Sequence, residues 1–473
     1  MTLFPAVPMP RISRLSKGTQ LDVVSRLNPF TKVPLEIITE IFKFVVLSSE
    51  EARSHEVKTL CLVDKYWNNI ANATSDLWTK VTLTYPLHAD QLSAAQKWLR
   101  ASEPKVVDVE VNLCDPTWCW LEESWFLSVD SLQNVIGVLS GTEHRWRSIS
   151  VKSDAQGPIR KFLRGWVTPS LPALESISFE NFTPSISQQR LIEWPALFGG
   201  NGALMPKLQE VTICEVPLDW TPAATSFRNL RKLVIRNQPH EDDTTFEQFS
   251  ALLAASPRLE TLDIRGYYPT SGDSHTQAQI PLVHLPALKH LVFGWSHIDL
   301  ACNFLTMFQI PETLETLCLA EAECKFKGDV ARGEIDYKNN SPILNLLANL
   351  GAGNPKDKDP SSPWISMLGL KSLSVSWVYS DTRNVIAFLQ NAPMIEEICL
   401  EDVADTVLEA IATLSETLLP SSLKRVDIRW RWGNGSVRDE PRLVVERLRG
   451  LGLEVTVGKY VGKRRGHFVK LDA

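Results

Sequence analysis

The amino-acid sequence predicts an α/β protein in which a small three-helix domain precedes a right-handed solenoid. Its parallel sheet would line the concave face, and its helices would cover the convex face. Two observations predict this arrangement. A short apolar strand pattern recurs at a nearly constant interval, and helix-like segments, several of them ending at Pro, lie between the recurrences. Strand, helix and turn at a fixed period stack as a parallel solenoid. A doubly wound sheet with accidental periodicity is the alternative.

Residues 1–28 are predicted to form a flexible N-terminal segment. Four basic residues against one Asp give the segment a charge of plus three, and Pro and Ser interrupt any apolar periodicity. The first ten residues hold three prolines and no continuous apolar core, so we expect no secretory signal there. A targeting role for this basic segment is the alternative to an inert tail.

Residues 29–80 are predicted to form a separate helical domain. Pro34 suits the first position of a helix, and Glu36 suits its positive N-terminal end. A second helix is predicted from about Val57, followed by Leu77-Trp78. A unit this small buries little apolar area, so it usually packs on a neighbour or a partner. One apolar stripe is predicted for each helix, formed in the first by Leu35, Ile38, Ile41, Phe42 and Val45 and in the second by Leu60, Val63, Trp67 and Ile70.

Three blocks of this domain resemble the F-box family. They run from Val33 to Phe42, from Leu60 to Ala71 and through Leu77-Trp78. Val33 replaces the usual Leu, Asp64 stands where the family often has Cys, and the loop after Leu47 is long. The resemblance implies that the domain docks on a Skp-family linker protein. The residues implied to form or support that docking edge are Pro34, Leu35, Ile38, Ile41, Phe42, Leu60, Val63 and Trp67.

Residues 81–473 are predicted to form the solenoid. The pattern Leu-x-x-Leu-x-apolar, with Ile, Val or Trp in place of some Leu residues, begins at Trp146, Leu174, Leu208, Leu230, Leu259, Leu288, Leu314, Leu370, Ile395 and Leu423. From Leu174 to Leu423 there are 249 residues, and counting the gap after Leu314 as two units gives nine steps of about 28 residues. That period lies in the range of leucine-rich repeats. Together with the F-box blocks, the chain resembles F-box proteins with divergent leucine-rich repeats of the fungal type.

Within each repeat, apolar positions one, four and six should point inward, and positions three, five and seven should face the concave surface. Position nine usually holds Asn or Cys in leucine-rich repeats, but no repeat here has either residue, so the turns should close by other means. Residues 324–363 are predicted to be an irregular, largely exposed insertion with a helical remnant at 343–350. Further helices are predicted at 130–139, 187–198, 244–255, 298–308, 382–390 and 403–418.

No motif predicts catalysis or a cofactor. His284, His290 and His297 lack the close spacing of zinc ligands, and Phe198-Gly199-Gly200 lacks the remaining residues of a phosphate-binding loop. The sequence contains no nucleophile elbow and no kinase signature. We therefore expect the protein not to be an enzyme and to bind no metal or cofactor.

Composition limits the class of partner. The 49 basic and 55 acidic residues give a net charge of −6, which does not favour nucleic-acid binding. No stretch approaches the ~18 consecutive apolar residues of a membrane helix. Eight scattered cysteines do not form a disulfide framework, so we expect a cytoplasmic or nuclear protein. A basic cluster near Lys463 is interpreted as a solvated tail, with a nuclear signal as the alternative.

The predicted concave surface carries the candidate substrate-binding residues. Arg236 and Arg265 should project side by side from neighbouring strands, and Asp263, two residues before Arg265 on the same face, should offset part of their repulsion. A second Arg-Asp-Arg pattern should lie on one later strand, where Glu397 and Glu401 could pair with its arginines. Two such clusters would suit an acidic or phosphorylated segment. The candidate residues are Arg236, Asp263, Arg265, His290, Arg425, Asp427 and Arg429, and the aromatic residues just past the strands are Tyr267, Trp295, Trp377 and Trp430.

The F-box resemblance implies a substrate-recognition subunit of an SCF-type ubiquitin ligase. The F-box would dock on a Skp-family protein and, through it, on a cullin, while the repeats would hold an unknown protein substrate. The main alternative is a leucine-rich-repeat interaction scaffold acting outside a ubiquitin ligase. A ligand sensor whose concave face binds a small molecule is a third possibility.

Overall fold

The structure is a computed structural model. The residues it describes are 32–48, 53–115, 129–165, 170–182, 204–216, 226–237, 245–266, 282–295, 298–321, 342–352, 359, 362–376, 378, 380–401, 407–408, 411, 420–430, 439–461 and 467–470. The predicted helices at 187–198 and 403–418 lie wholly or largely outside this part of the chain. The protein is α/β and divides into two compact units. The first comprises residues 1–81 and 94–107, and the second comprises 82–93 and 108–473.

In the described residues 32–48 and 53–81, the first unit contains three α-helices and a short 3₁₀ helix. The helices are α1 (Leu35–Leu47), α2 (Arg53–Val63) and α3 (Lys65–Ala73), and the 3₁₀ helix is Ser75–Trp78. The predicted second helix is therefore two helices. Asp64 separates them, since its extended backbone ends α2 and its carboxylate accepts a 2.7 Å hydrogen bond from the Trp67 N–H at the start of α3.

The predicted single stripe on α1 was wrong. Ile38, Phe42 and Val46, spaced four residues apart, are buried, whereas Leu35 and Ile41 are exposed. The apolar residues of α1 therefore divide between two sides of the helix. The predicted stripe on the second helix fails as well, because Leu60 is buried and Val63 is exposed.

Aromatic contacts, a hydrogen bond and salt bridges stabilise the core of the first unit. The rings of Phe42 and Trp67 lie 4.9 Å apart, and Trp78 meets Trp98 edge-on at the same distance. The indole N–H of Trp78 donates to the carbonyl oxygen of Ala71 at 2.7 Å. Asp76 accepts from the ammonium groups of Lys43 at 3.3 Å and Lys105 at 2.9 Å, which ties the 3₁₀ helix to α1.

The second unit is built on a large, mostly parallel sheet. Among the residues described, fourteen strands pair in chain order, with three short strands left out, and the last strand is antiparallel to its neighbour. The strands are β1 (Lys80–Thr84), β2 (Val107–Asn112), β3 (Trp146–Ser153), β4 (Ser176–Asn181), β5 (Glu210–Cys214), β6 (Lys232–Arg236), β7 (Thr261–Arg265), β9 (His290–Trp295), β11 (Thr316–Glu321), β13 (Ser372–Ser376), β14 (Glu397–Glu401), β15 (Arg425–Trp430), β16 (Glu454–Val461) and β17 (His467–Lys470).

All ten predicted strands are present in the sheet, from β3 to β15. The register aligns each repeat position with the same position of the next repeat; for example, Leu233 pairs with Leu262, and Leu262 pairs with Leu291. Side chains at positions four and six are buried almost completely, as at Leu262 and Ile264. The predicted inward orientation of positions four and six is confirmed for these strands. The predicted outward positions are less uniform, because Val234 and Asp263 at position five are buried as well.

Helices connect many of the strands. They are α4 (Ala89–Ala101), α5 (Val129–Leu139), α6 (Gln156–Gly165), α7 (Phe246–Ala254), α8 (Ile298–Leu305), α9 (Pro342–Gly351), α10 (Thr382–Gln390) and α11 (Asp439–Gly450). The predicted helix at 298–308 ends earlier, because Phe308 begins a strand. A small parallel sheet that the sequence did not predict joins β8 (Val283–His284), β10 (Phe308–Ile310) and β12 (Trp364–Ile365).

Where the structure describes the long gap between two predicted repeats, it shows a helix but no strand of the large sheet. β11 pairs directly with β13, so counting the gap as two complete repeats was wrong. The predicted helical remnant is α9, and its apolar residues Ile343, Leu344 and Leu347 are buried. This part of the predicted insertion is therefore core rather than exposed loop; residues 324–341 lie outside the described residues.

Three turns close through the backbone of the residue that follows the strand. Glu215, Asn237 and Gly266 occupy the same repeat position and have φ angles of 56°, 50° and 60°. In this left-handed conformation, their N–H groups donate to the carbonyl oxygens of Arg236, Arg265 and Gly294 at 2.9, 2.6 and 3.0 Å. These bonds to the next strand satisfy the turns without an Asn ladder.

We predict that Leu262→Ala lowers the free energy of unfolding by roughly 2–5 kcal/mol, because it leaves a cavity under the centre of the sheet. Ser374 lies at an outward, half-buried position, and Ser374→Ala should stay within about 0.5 kcal/mol of the parent. Chemical denaturation of both variants checks this. Equal losses would contradict the inward and outward assignment.

A second prediction concerns the pH dependence of the first unit. Hydrogen bonds from Lys105 and Lys43 hold the pKa of Asp76 below its ordinary value of 3.8. The ionised carboxylate therefore stabilises the fold above the unfolded-state pKa, and this contribution disappears as the pH falls through the folded-state pKa. Asp76→Asn should cost roughly 0.5–1 kcal/mol at pH 7 and nothing below the folded-state pKa. Denaturation measured from pH 7 to pH 2 tests it; a pH-independent difference would contradict it.

Candidate functional site

The outward face of the large sheet is formed by the side chains at positions three, five and seven of each strand. The register places Arg236 opposite Arg265, and Val234 opposite Asp263. The predicted side-by-side placement of the two arginines is therefore confirmed. Their predicted role in substrate binding stays a prediction.

Asp263 joins the two arginines into one cluster. Its side chain is only 6% exposed, whereas those of Arg236 and Arg265 are 40% and 37% exposed. Arg236 donates to Oδ2 of Asp263 from Nε at 3.2 Å and from Nη2. Arg265 donates from Nε to Oδ1 at 2.9 Å and from Nη2 to Oδ2 at 3.3 Å. A nearly buried carboxylate thus holds two half-exposed guanidinium groups in fixed positions.

Two residues on the neighbouring strands, Gly294 and Cys214, lie next to this cluster. A Cβ atom at Gly294 would lie 3.0 Å from Cβ and 3.1 Å from Cγ of Arg265, so the absence of a side chain there lets the stem of Arg265 lie close to the next strand. Cys214 pairs in register with Arg236. Burial raises the pKa of the Cys214 thiol to about 12, which keeps the thiol neutral at pH 7. Burial disfavours the charged form of Arg236, but the hydrogen bond to Asp263 and the negative charge of Asp263, with further contributions from Cys214 and Glu180, together raise the pKa of Arg236.

The second predicted cluster differs in charge. Arg425 bonds to Glu397 at 2.8 Å, and Arg429 bonds to Asp427 at 3.3 Å. Glu401, which is buried and accepts from the Ser376 hydroxyl at 3.2 Å, lies opposite Arg429 in register. Three carboxylates against two arginines give this cluster a charge of −1. The pairing of Glu397 with Arg425, which the sequence offered as the alternative, is observed, and a role of Arg425, Asp427 and Arg429 in substrate binding stays a prediction.

Small side chains occupy the outward face between the two clusters. His290 is half-buried and lies between Thr261 and Thr316 in register. Farther along, Cys318, Ser374 and Cys399 are register neighbours on three successive strands. Burial raises the pKa of both thiols. His290 therefore stands beside hydroxyl groups and not among the charged candidate residues.

The structure describes the side chain of only one of the four predicted aromatic surface residues, Trp295. Trp295 is fully buried and stacks near Phe293 with 5.9 Å between ring centroids, so it belongs to the core. Tyr267, Trp377 and the side chain of Trp430 lie outside the described residues. His284 lies on the small sheet with its ring 6.4 Å from that of Trp364, and His297 is not described.

A shallow polar depression lies where β3, β4 and β5 begin, and the sequence interpretation did not identify it. Arg147 beside it donates from Nε to Oδ1 of Asp108 at 3.0 Å, and that hydrogen bond raises the pKa of Arg147. The depression is lined by Arg147, Ser148, Glu175, Ser176, Gln209 and Glu210. Alignment of positions two and three on consecutive repeats is the signal that could have found it.

The first unit exposes apolar side chains on α1 and α2. Ile37, Ile41 and Phe44 follow one another at helical spacing, and Phe44 is 77% exposed. Leu62 on α2 is 84% exposed. Of the thirteen exposed large apolar residues in the described part of the chain, eight fall between residues 35 and 63. They are Leu35, Ile37, Ile41, Phe44, Val45, Leu47, Leu62 and Val63, and we call them the apolar patch. Pro34 is also exposed, while Trp67 is half-buried.

Among the residues that the structure describes, no group of three or more His, Cys, Asp or Glu side chains is arranged to hold a metal ion. Within the same residues, no helix has the length and apolar character needed to cross a membrane.

The sequence was also compared with known proteins. No protein-family model matches the chain, and curated proteins gave no significant match.

We predict that Arg236→Ala combined with Arg265→Ala destabilises the protein by about 3 kcal/mol, because Asp263 then stays buried without a counter-charge. Adding Asp263→Ala should recover most of that loss, since the triple variant contains no buried charge. Chemical denaturation of the double and triple variants tests the coupling. A triple variant less stable than the double would contradict it.

Proposed function

We propose that the protein is the substrate-recognition subunit of an SCF-type ubiquitin ligase. The first unit acts as an F-box that docks on a Skp-family linker protein, and a cullin joins the complex through that linker. The second unit acts as a divergent leucine-rich-repeat solenoid that holds a protein substrate. The single observation that carries the proposal is the concentration of exposed apolar side chains on α1 and α2, in the segment that resembles the F-box.

The apolar patch supports docking because clustered exposed apolar side chains are unfavourable in water and favour a partner. Ile38, Phe42 and Leu60 are buried, so they support the patch from inside the unit rather than contact a partner. The contact residues on this account are Pro34, Leu35, Ile41 and Val63, to which Ile37, Phe44 and Leu62 are added.

The sheet supports the solenoid interpretation. Its strands follow one another in chain order, and equal repeat positions pair between strands, as at Ile235 and Ile264. A regular parallel sheet built in this way places a long row of outward side chains on one face, which suits the binding of an extended protein segment. On this proposal the chain supplies proximity and orientation, and the enzymes that transfer ubiquitin are separate proteins.

Purification from native cells separates this proposal from its alternative. A Skp-family protein together with a cullin supports the ligase subunit. A Skp-family protein without a cullin supports the interaction scaffold outside a ligase. Recovery of the chain with neither protein, under conditions in which known complexes of this type survive, would contradict both.

We predict that Pro34→Ala combined with Leu35→Ala weakens binding to a purified Skp-family protein by ~2 kcal/mol or more for each residue, because apolar anchors of an interface lose their contacts. Isothermal titration calorimetry gives the affinity of the parent and of the variant.

The control for this prediction is Leu204→Ala combined with Met394→Ala. These two residues are 70% and 52% exposed and lie outside the apolar patch. The control should bind like the parent. Unchanged affinity of a folded Pro34→Ala, Leu35→Ala variant would contradict the proposed docking surface.

A further inference from the structure

The two arginine clusters on the outward face differ in what they can bind. In the first, Arg236 and Arg265 bond to one carboxylate, Asp263, so two positive charges and one negative charge leave +1. Glu180 also acts on Arg236, but Lys152 lies 3.7 Å from its carboxylate and balances its charge. The second cluster, around Arg425 and Arg429, has the net charge of −1 derived above. Lys232 adds nothing to the first cluster, since Glu210 lies 3.9 Å from its ammonium group. Only the first cluster therefore attracts an anion.

Unused donors are available in this first cluster. A guanidinium group has five N–H bonds, and each arginine directs only its Nε and one Nη2 hydrogen at Asp263. Three N–H bonds on each side chain remain, and both side chains are more than one-third exposed. Six donors on two neighbouring forks match the oxygen atoms of a carboxylate or a phosphoryl group.

The cluster is also arranged before any ligand binds. Asp263 fixes both guanidinium groups, and Gly294 leaves room for the stem of Arg265. Side chains that are already fixed lose less conformational freedom on binding. The buried Asp263 thus lowers the net charge of the cluster, but it also holds the two guanidinium groups in the positions in which they can bind an anion.

We propose that Arg236 and Arg265, held by Asp263, bind the oxyanion of an acidic or phosphorylated side chain in a peptide segment of the target protein. This inference rests on the proposed function, because the peptide segment bound by the two arginines belongs to the substrate that the protein captures. Carboxylate and phosphoryl groups share the same chemistry toward the two forks. The experiment therefore has to separate the two.

The test uses the purified full chain, immobilised, and three libraries of ten-residue peptides. The peptides are random except at one central position, which is phosphoserine, aspartate or asparagine. Mass spectrometry of the retained peptides measures enrichment. We expect at least about tenfold enrichment of an anionic library over the asparagine library, since charge-assisted hydrogen bonds are involved. Enrichment of phosphoserine alone assigns a phosphoryl group, and equal enrichment of aspartate assigns a carboxylate.

The deciding variant combines Arg236→Gln, Asp263→Asn and Arg265→Gln, which removes two positive charges and one negative charge without leaving a buried charge. Its matched control combines Lys371→Gln, Glu396→Gln and Lys424→Gln, with the same net change of −1. These control residues form exposed ion pairs away from the cluster. Enrichment should disappear in the first variant and persist in the control. Enrichment that survives in the first variant, is lost in the control, or is absent in the parent overturns the proposal.

Gly294→Ala keeps the inference testable if the triple variant does not fold. It leaves every charge in place but forces Arg265 to move, so enrichment should fall severalfold; unchanged enrichment overturns the proposal. The same preparations are tested for binding to a purified Skp-family protein. Intact Skp binding without anion enrichment overturns this inference alone, whereas anion enrichment without Skp binding overturns the proposed function alone.

Discussion

The rest of the second unit depends on the register of its parallel strands. Side chains of a strand alternate between two faces, so a slip of one residue would move every apolar side chain to the outward face. In the observed register Leu233, Leu262 and Leu291 stand in one buried row. The same register brings Arg236 beside Arg265 and places Asp263 between them. The core and the candidate site therefore have one origin, which is the alignment of equivalent repeat positions.

Charged pairs at the start of the strands agree with this register. Lys289 bonds to Glu260 at 3.1 Å, and two further pairs repeat the arrangement on later strands. Such exposed pairs contribute little stability, but a shifted register would separate them. The further pairs join Lys371 to Glu315 at 3.3 Å and Lys424 to Glu396 at 2.6 Å.

Repetition made the sheet predictable, while single positions in the helical unit were not. One apolar pattern predicted ten strands correctly. Because the pattern recurs at a nearly constant interval, a wrong position for any one strand would have been visible as a break in that interval. On α1, by contrast, Leu35 and Ile38 both fit a helical stripe, and only tertiary packing decides that one is exposed and the other buried. The break at Asp64 depends on a capping hydrogen bond, and the small sheet joins strands of two or three residues. Neither leaves a periodic signal in the sequence. For the second arginine cluster, the sequence already offered Glu397 and Glu401 as partners, and the structure shows which carboxylate bonds to which arginine.

The register can be tested directly at Ser374. This residue lies opposite Cys318 on one neighbouring strand and Cys399 on the other, and both cysteines are free. Adjacent strands lie about 4.8 Å apart, and Cα atoms of disulfide-bonded cysteines usually lie ~4.4–6.8 Å apart. Mild oxidation of a Ser374→Cys variant, followed by mass spectrometry of its peptides, should therefore reveal a disulfide to Cys318 or Cys399. A folded variant that forms neither disulfide, or links residue 374 to another cysteine, would contradict the register on which the site depends.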